Sequence, residues 1–169
     1  MKRFLILFCS LILVASDMVI SGQTRTLPVL TEKGIGSITI GMRKSKVPAA
    51  IPGLYDKIVY EDASPDDMDF GGAGWFTCTL RGKETMAIFI GAERDVCGIS
   101  VFTPNVKSAD GVYVGMPVSR LKQLKGIEYE TECMGDAYYY STHNGAEIQY
   151  YTNFTKPETV RIMAVGMTY

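Results

Sequence analysis

The residues with the most reactive side chains in this sequence are four cysteines and a single histidine. Cys133 and His143 could form the nucleophile and base of a cysteine hydrolase, with Asn144 orienting the imidazole ring. However, Asn144-Gly145 is the strongest short signal for a β-hairpin, and it places His143 at an exposed turn that does not exclude water. We therefore expect His143 to be an exposed turn residue, and a hydrolase is the third of our functional hypotheses.

The same residue types give little support to a metal site. The sequence has no Cys-x-x-Cys pair and one histidine, whereas a structural zinc site takes four such ligands. Asp66, Asp67 and Asp69 could offer carboxylate oxygens to calcium, but they lack the regular ligand spacing of a calcium loop. We expect this acidic stretch to be a solvated insertion, and we expect neither a metal nor a cofactor.

Tyrosine is the most unusual local feature, because five of the ten tyrosines lie in two short stretches, "DAYYYST" and "GAEIQYYT". Both stretches have the character of a strand, whose side chains alternate between two faces, so Tyr139 should point away from Tyr138 and Tyr140. Tyrosine is a good strand former, but it is also favoured in binding surfaces because it offers large contact area at low entropic cost. The candidate binding residues are Trp75, Tyr138, Tyr139, Tyr140, Tyr150, Tyr151 and Phe154.

The beginning of the chain predicts export. A short basic start is followed by an apolar run from Phe4 to Ala15, which is typical of a secretory signal peptide and too short to span a membrane. Cleavage could follow Ser16 or Gly22, and we favour Gly22, which assigns residues 1–22 to the signal peptide. Cys9 could carry a lipid, but the apolar run continues past it. We expect a periplasmic or extracellular protein with no stable membrane span in the mature chain.

Charge and cysteine content restrict the partners and the covalent framework. The formal net charge of −1 gives no support to nucleic-acid binding, which needs a basic stripe. Export leaves Cys78, Cys97 and Cys133, so at most one intramolecular disulfide can form. Cys78 and Cys97 fall on the first and third strands of a predicted meander, about 9 to 10 Å apart and beyond disulfide reach. A bridge would therefore involve Cys133, with either partner.

Two segments have the same pattern, "ITIGMRKSKV" at 38–47 and "VYVGMPVSRL" at 112–121. In each, alternating residues predict a strand, Gly-Met marks a turn, and spaced aliphatic residues predict a short amphipathic helix. Neither segment offers a nucleophile, a base or a metal ligand where chemistry would need one, so we interpret both as structural joints. The residues of this motif are Gly41, Met42 and Val47 in the first copy and Gly115, Met116 and Leu121 in the second.

The repeated motif resembles the repeat of the secreted β-lactamase inhibitor proteins and of the small outer-membrane lipoproteins of the SmpA/OmlA type. The resemblance implies that each repeat is a helical unit followed by an antiparallel sheet. It also implies that two tandem sheets present an aromatic-rich surface to a partner protein. Arg43 and Pro117 stand where these families usually have Thr or Ser, and no residue that binds a β-lactamase is carried over to this chain.

These observations predict an α+β fold of two tandem repeats. Each repeat should have a short helix and a three- to four-stranded antiparallel sheet, with both helices packed on one face. A polar segment, 23–33, should precede the repeats at 34–105 and 106–169. The leading functional hypothesis is a non-enzymatic protein that binds a protein partner through its sheet surface, as an inhibitor, immunity or envelope accessory factor. The alternative is a domain that binds a small molecule or a glycan.

Overall fold

The computed structural model describes residues 28–49, 54–64, 72–131, 137–153 and 158–166. Several features singled out in the sequence lie outside the described residues, namely the predicted signal peptide with Cys9, the acidic residues Asp66, Asp67 and Asp69, and Cys133 and Phe154. Within these ranges, none of the helices has the length and apolar character needed to span a membrane.

The described residues form strands with very little helix. The strands are β1 (Val29–Thr31), β2 (Gly34–Ile35), β3 (Ile38–Thr39), β4 (Lys57–Asp62), β5 (Gly72–Leu80), β6 (Lys83–Gly91), β7 (Val96–Val101), β8 (Lys107–Ser108), β9 (Glu128–Thr131), β10 (Ala137–His143), β11 (Ala146–Thr152) and β12 (Val160–Val165). The helical segments in the described ranges are a 3-10 helix, Lys44–Ala49, and a single α-helical turn, α1 (Val118–Leu121).

The strands form two sheets. The large sheet has eight antiparallel strands in the order β4-β5-β6-β7-β12-β11-β10-β9, and β7 and β12 join its two halves through the pair Ser100 and Ala164. The small sheet has the order β3-β2-β1-β8, and its β1 and β8 are parallel. One hydrophobic core connects the two sheets, because buried side chains of the small sheet, such as Leu30 and Ile35, cluster with those of the large sheet, such as Ile88 and Met163.

The predicted α+β fold class is wrong, because the protein is nearly all β. The segment after Gly41 forms only six residues of 3-10 helix with Pro48 inside it, and α1 is four residues long. Proline removes a backbone donor and clashes with the preceding turn, and a helix of one turn is too short to be stable alone. The expectation of two helices packed on one face of the sheet is therefore wrong as well.

The two Gly-Met motifs have the same hydrogen-bonding role in the structure. The amide of Gly41 donates to Val96, whose amide donates back to Met42, and Gly115 and Met116 exchange the same two bonds with Val160. Gly41 and Gly115 have φ angles of 82° and 94°, which non-glycine residues adopt only with strain. Val47 and Leu121 are fully buried. Each copy of the motif therefore connects a turn by hydrogen bonds to the first residue of a strand, β7 for the first copy and β12 for the second.

Candidate functional site

The candidate site lies on one side of β9, β10 and β11. Tyr138 pairs with Tyr151 on β11 and with Glu130 on β9, and Tyr140 pairs with Glu128 on β9. Because directly paired residues point to the same side of a sheet, these five side chains share one face. We call this group of Glu128, Glu130, Tyr138, Tyr140 and Tyr151 the tyrosine patch.

The rings of the tyrosine patch pack against one another. Tyr138 and Tyr151 are stacked, with ring centroids 5.6 Å apart and an interplanar angle of 29°, and the rings of Tyr138 and Tyr140 are 6.2 Å apart. All three tyrosines are half-buried. Aromatic pairs at such distances are favourable beyond the area that they bury, so each ring restricts the rotamers of the next. The aromatic surface of the patch is therefore ordered by its own contacts.

Hydrogen bonds fix the hydroxyl ends of these rings. The Tyr138 hydroxyl donates to Glu130 Oε2 and the Tyr140 hydroxyl donates to Glu128 Oε2, both at 2.8 Å. Tyr151 donates to Gln149 Oε1 at 2.9 Å. The bond to Glu128 raises the pKa of the Tyr140 hydroxyl, because it stabilises the protonated phenol. The Tyr140 ring therefore remains neutral beside Glu128.

Two of the tyrosines predicted to form a binding surface lie on the opposite face. Tyr139 is buried against Tyr129, with ring centroids 5.0 Å apart, and Tyr150 is fully buried in the core. The sequence pattern predicted that Tyr139 would point away from Tyr138 and Tyr140, and the strand register agrees. The structure thus brings Tyr138, Tyr140 and Tyr151 together and separates Tyr139 and Tyr150 from them.

Trp75 lies on the same side of the large sheet as the tyrosine patch but far from it. Four strand spacings separate β5 from β11, which is about 19 Å. The strands between them carry the buried Ala87, Ser100 and Ala164 on this side, together with the half-buried Phe89, which pairs with Trp75, and Ile162, which pairs with Tyr151. Trp75 therefore forms an aromatic pair with Phe89 and does not touch the tyrosine patch across this distance.

A second group of polar side chains connects the small sheet to the β10–β11 hairpin. Asp110, which follows β8, accepts hydrogen bonds from Ser141 at 2.6 Å, from Tyr150 at 2.7 Å and from His143 Nε2 at 3.0 Å. The Tyr150 hydroxyl also lies 3.1 Å from Ser108 Oγ. We call these five residues the Asp110 cluster. At the hairpin tip, Asn144 Nδ2 donates to Glu32, which adds a further link to the small sheet.

The geometry of the Asp110 cluster suits a structural connection rather than nucleophilic catalysis. In a catalytic triad the histidine lies between the nucleophile and the carboxylate, whereas here the carboxylate lies between Ser141 and His143. Burial opposes ionisation of Asp110, but the bonds from Ser141, Tyr150 and His143 outweigh it and lower the pKa of the carboxyl. The predicted hairpin at Asn144-Gly145 is confirmed, although the His143 side chain is only 33% exposed and is not a free turn residue.

Cys78 and Cys97 are free thiols on β5 and β7, with β6 between them. Burial raises the pKa of Cys78 to about 12, and burial also raises the pKa of Cys97. Since the thiolate is the reactive form, both should be poor nucleophiles. Cys78 is a core residue and Cys97 is half-buried, and β6 separates them, so they do not form a redox pair.

Alkylation of the native protein with iodoacetamide at pH 8 should therefore modify Cys78 extremely slowly. A pKa of about 12 leaves roughly a thousandfold less thiolate than an ordinary thiol of pKa 9.0. Peptide mass spectrometry over a time course measures each site, and the protein unfolded in urea is the control in which all thiols react. Rapid modification of native Cys78 would contradict its burial.

The sequence reasoning missed the two carboxylates of the tyrosine patch and Asp110. Glu128 and Glu130 flank a single tyrosine in a strand of four residues, which is too short for a clear period. The alternation Glu-Tyr-Glu was the one available signal. Asp110 is 31 residues from Ser141 and 40 from Tyr150, so no local pattern could have joined them.

Comparison with known proteins relates the fold of this chain to a solved structure. No protein-family model matches the chain, and no curated protein matches it at a significant level. The chain is similar to the crystal structure of the uncharacterized protein yfeY from Escherichia coli, with a TM-score of 0.53 and 14% sequence identity. The match covers 81% of this chain and 98% of that chain. At this identity the similarity concerns the fold alone.

Proposed function

We propose that this protein is an exported, non-enzymatic binding protein that holds a protein partner on the tyrosine patch. The observation that carries the proposal is the ordered stack of Tyr138, Tyr140 and Tyr151, whose hydroxyls are held by polar side chains. Binding surfaces are enriched in aromatic residues that bring large contact area and lose little conformational freedom. The export part of the proposal rests on the basic and apolar N-terminal sequence.

The charge of the patch indicates the chemistry of the partner. Glu128 and Glu130 lie beside the rings, and the exposed Glu147 lies on the same side of β11. Arginine stacks on aromatic rings and pairs with carboxylates, so a partner surface that presents arginine or lysine would match both features.

The test begins with capture of partners from an envelope extract by the full chain, followed by measurement with each purified partner. Tyr140→Ala should weaken binding by at least about tenfold, the effect of a central aromatic residue at an interface. Glu128→Gln should slow association and reduce its salt dependence. Isothermal titration and stopped-flow fluorescence measure the two effects.

The matched control is Tyr129→Ala. Tyr129 is 55% exposed and lies on β9 beside Glu128, but it points to the other face of the sheet. This variant should bind as the unchanged protein does. A partner that loses affinity with Tyr129→Ala and keeps it with Tyr140→Ala would place the interface elsewhere and contradict the proposal.

Glycan binding remains the alternative, because aromatic rings beside carboxylates also suit sugar stacking and hydroxyl recognition. A site that used both Trp75 and the tyrosine patch would have to span about 19 Å across the sheet, which requires an oligosaccharide rather than a single sugar. A protein that captures no protein partner, but whose tyrosine fluorescence responds to soluble oligosaccharides, would support this alternative over the proposal.

A further inference from the structure

A concave, positively charged surface lies next to β5, on the side of the large sheet opposite to the tyrosine patch with its carboxylates. It forms an open cavity of about 560 Å³, a volume within the usual range for sites that bind small molecules. Phe76 points into this side of β5, whereas its neighbour Trp75 points to the side of the tyrosine patch. The described residues that line the cavity are Arg43, Lys44, Ser45, Pro48, Phe76 and Arg94.

The lining combines positive charge with an apolar surface. Three of its six described residues are cationic and none is acidic, although the chain as a whole has a net charge of −1. Phe76 is buried and makes an edge contact with Tyr60, with ring centroids 5.0 Å apart. Glu93 and Asp95 lie in the neighbouring turn but do not line the cavity. The cavity therefore combines three positively charged side chains with the aromatic ring of Phe76.

Contacts with neighbouring residues hold the cationic residues in place. Lys44 Nζ lies 3.0 Å above the centre of the Tyr60 ring, which is a cation–π contact. One guanidinium nitrogen of Arg43 donates to the carbonyl of Glu93 at 3.0 Å. The amide of Lys44 donates to the carbonyl of Arg94 at 3.0 Å, so the 3-10 helix and the β6–β7 turn bring the three cations together.

Arg94 is held in a backbone conformation that its side chain disfavours. Its φ angle is 61°, in the left-handed region where glycine is the usual residue of a tight turn. Glycine at this position would relieve the strain but would remove one of the three cations. Arg81 has a similar φ angle of 52° in the β5–β6 turn and is not part of the cavity lining, so the case for the site is made by the lining and not by the strain.

We propose that this cavity binds a small organic anion, one with a carboxylate, phosphate or sulfonate group and an apolar body. The anionic group would accept hydrogen bonds from Arg94, Arg43 and Ser45, and the apolar body would lie on Phe76. The site is on the opposite face of the sheet from the tyrosine patch, and it does not depend on the proposed protein partner.

The test uses 8-anilinonaphthalene-1-sulfonate, a fluorescent aromatic anion, titrated into the full chain. It should bind at one saturable site, inorganic phosphate should compete, and uncharged N-phenyl-1-naphthylamine should bind at least about tenfold more weakly. Arg94→Gly should lower the affinity for the anion by about tenfold or more while raising Tm by about 2 to 4 °C, because the strain is relieved. A loss of binding together with a gain in stability separates the site from general unfolding.

Two further variants complete the design. Lys44→Gln should lower the affinity for the anionic probe by a similar factor. Lys107→Gln removes an exposed cation on β8 outside the cavity, and it should leave this affinity unchanged. Equal affinity of the anionic and the uncharged probe would overturn the proposal. So would an undiminished affinity in Arg94→Gly, or an equal loss in Lys107→Gln.

Discussion

Replacing Asp110 with alanine should lower the free energy of unfolding by about 2 to 4 kcal/mol, because it removes the common acceptor of three hydrogen bonds. Ser141 is 2% exposed and Tyr150 is fully buried, so water cannot easily replace the lost acceptor. The change also removes the link between the loop after β8 and the β10–β11 hairpin. Urea unfolding followed by circular dichroism measures the loss.

The same residue should make stability depend on pH. The pKa of Asp110 in the folded protein is lowered from 3.8, so the folded state favours the carboxylate. Its contribution is therefore fully present above the unfolded pKa and is lost as the pH falls through the lower, folded pKa. Below about pH 4 the unchanged protein should lose stability more steeply than Asp110→Asn, which has no charge to titrate.

Asp62→Asn provides the matched control for this effect. Asp62 is an exposed carboxylate at the end of β4, and its replacement should leave both the stability and its pH profile nearly unchanged. If Asp110→Asn and Asp62→Asn had the same pH profile, the hydrogen bonds around Asp110 would not be a source of stability in the folded protein.

The alternating apolar pattern predicted the main strands of the large sheet. Six strand-like runs of the sequence correspond to β5, β6, β7, β10, β11 and β12, namely "WFTCTL", "ETMAIFI", "DVCGISVF", "DAYYYST", "GAEIQYYT" and "TVRIMAV". The pattern succeeded there because each strand has six to nine residues and contributes one side to the core. The strands of the small sheet have only two or three residues, so their pairing depends on tertiary contacts that no local period records.

The two helices were predicted from the spacing of aliphatic residues, but single turns of backbone account for this spacing. Val47, Val118 and Leu121 are buried at helical intervals, but one turn of backbone is enough to bury them. The backbone groups of the Gly-Met motif are hydrogen-bonded to Val96 and Val160 instead of beginning a longer helix. A hydrophobic stripe of two or three residues therefore cannot distinguish a helix from a single turn held by neighbouring strands.

For the candidate site, the sequence predicted the alternation of the tyrosines but not which side of the sheet the core covers. That choice depends on the small sheet, whose Leu30, Ile35 and Ile38 fill the side that buries Tyr150. The sequence did not predict the basic cavity either, because Arg43 and Arg94 are fifty-one positions apart and are brought together by hydrogen bonds between their two segments, such as those from Lys44 to Arg94 and from Arg43 to Glu93. Both surfaces depend on contacts between distant segments.

Gly74→Ala should be the most destabilising of the glycine substitutions proposed here, with a cost of at least about 3 kcal/mol. Gly74 lies in β5 with a φ angle of 144°, and a Cβ there would overlap the carbonyl oxygen of Glu61 and lie 2.6 Å from the Tyr60 hydroxyl. Neither neighbour can move freely, because Glu61 pairs with Trp75 and the Tyr60 hydroxyl donates to Ala73. The pairing of β4 with β5 must therefore shift or break.

Gly115→Ala separates this clash from backbone strain alone. The φ angle of Gly115 is 94°, but an added Cβ would meet no atom within 4 Å, so the expected cost is only about 1 to 2 kcal/mol. Urea unfolding measures both variants, and hydrogen exchange of the β4 amides should report loss of protection in Gly74→Ala alone. Equal costs, or protected β4 amides in Gly74→Ala, would mean that β4 accommodates the methyl group. The difference between the two unfolding free energies also tests the turn of the Gly-Met motif. Because space around Gly115 is open, this turn should accept a side chain at a modest cost.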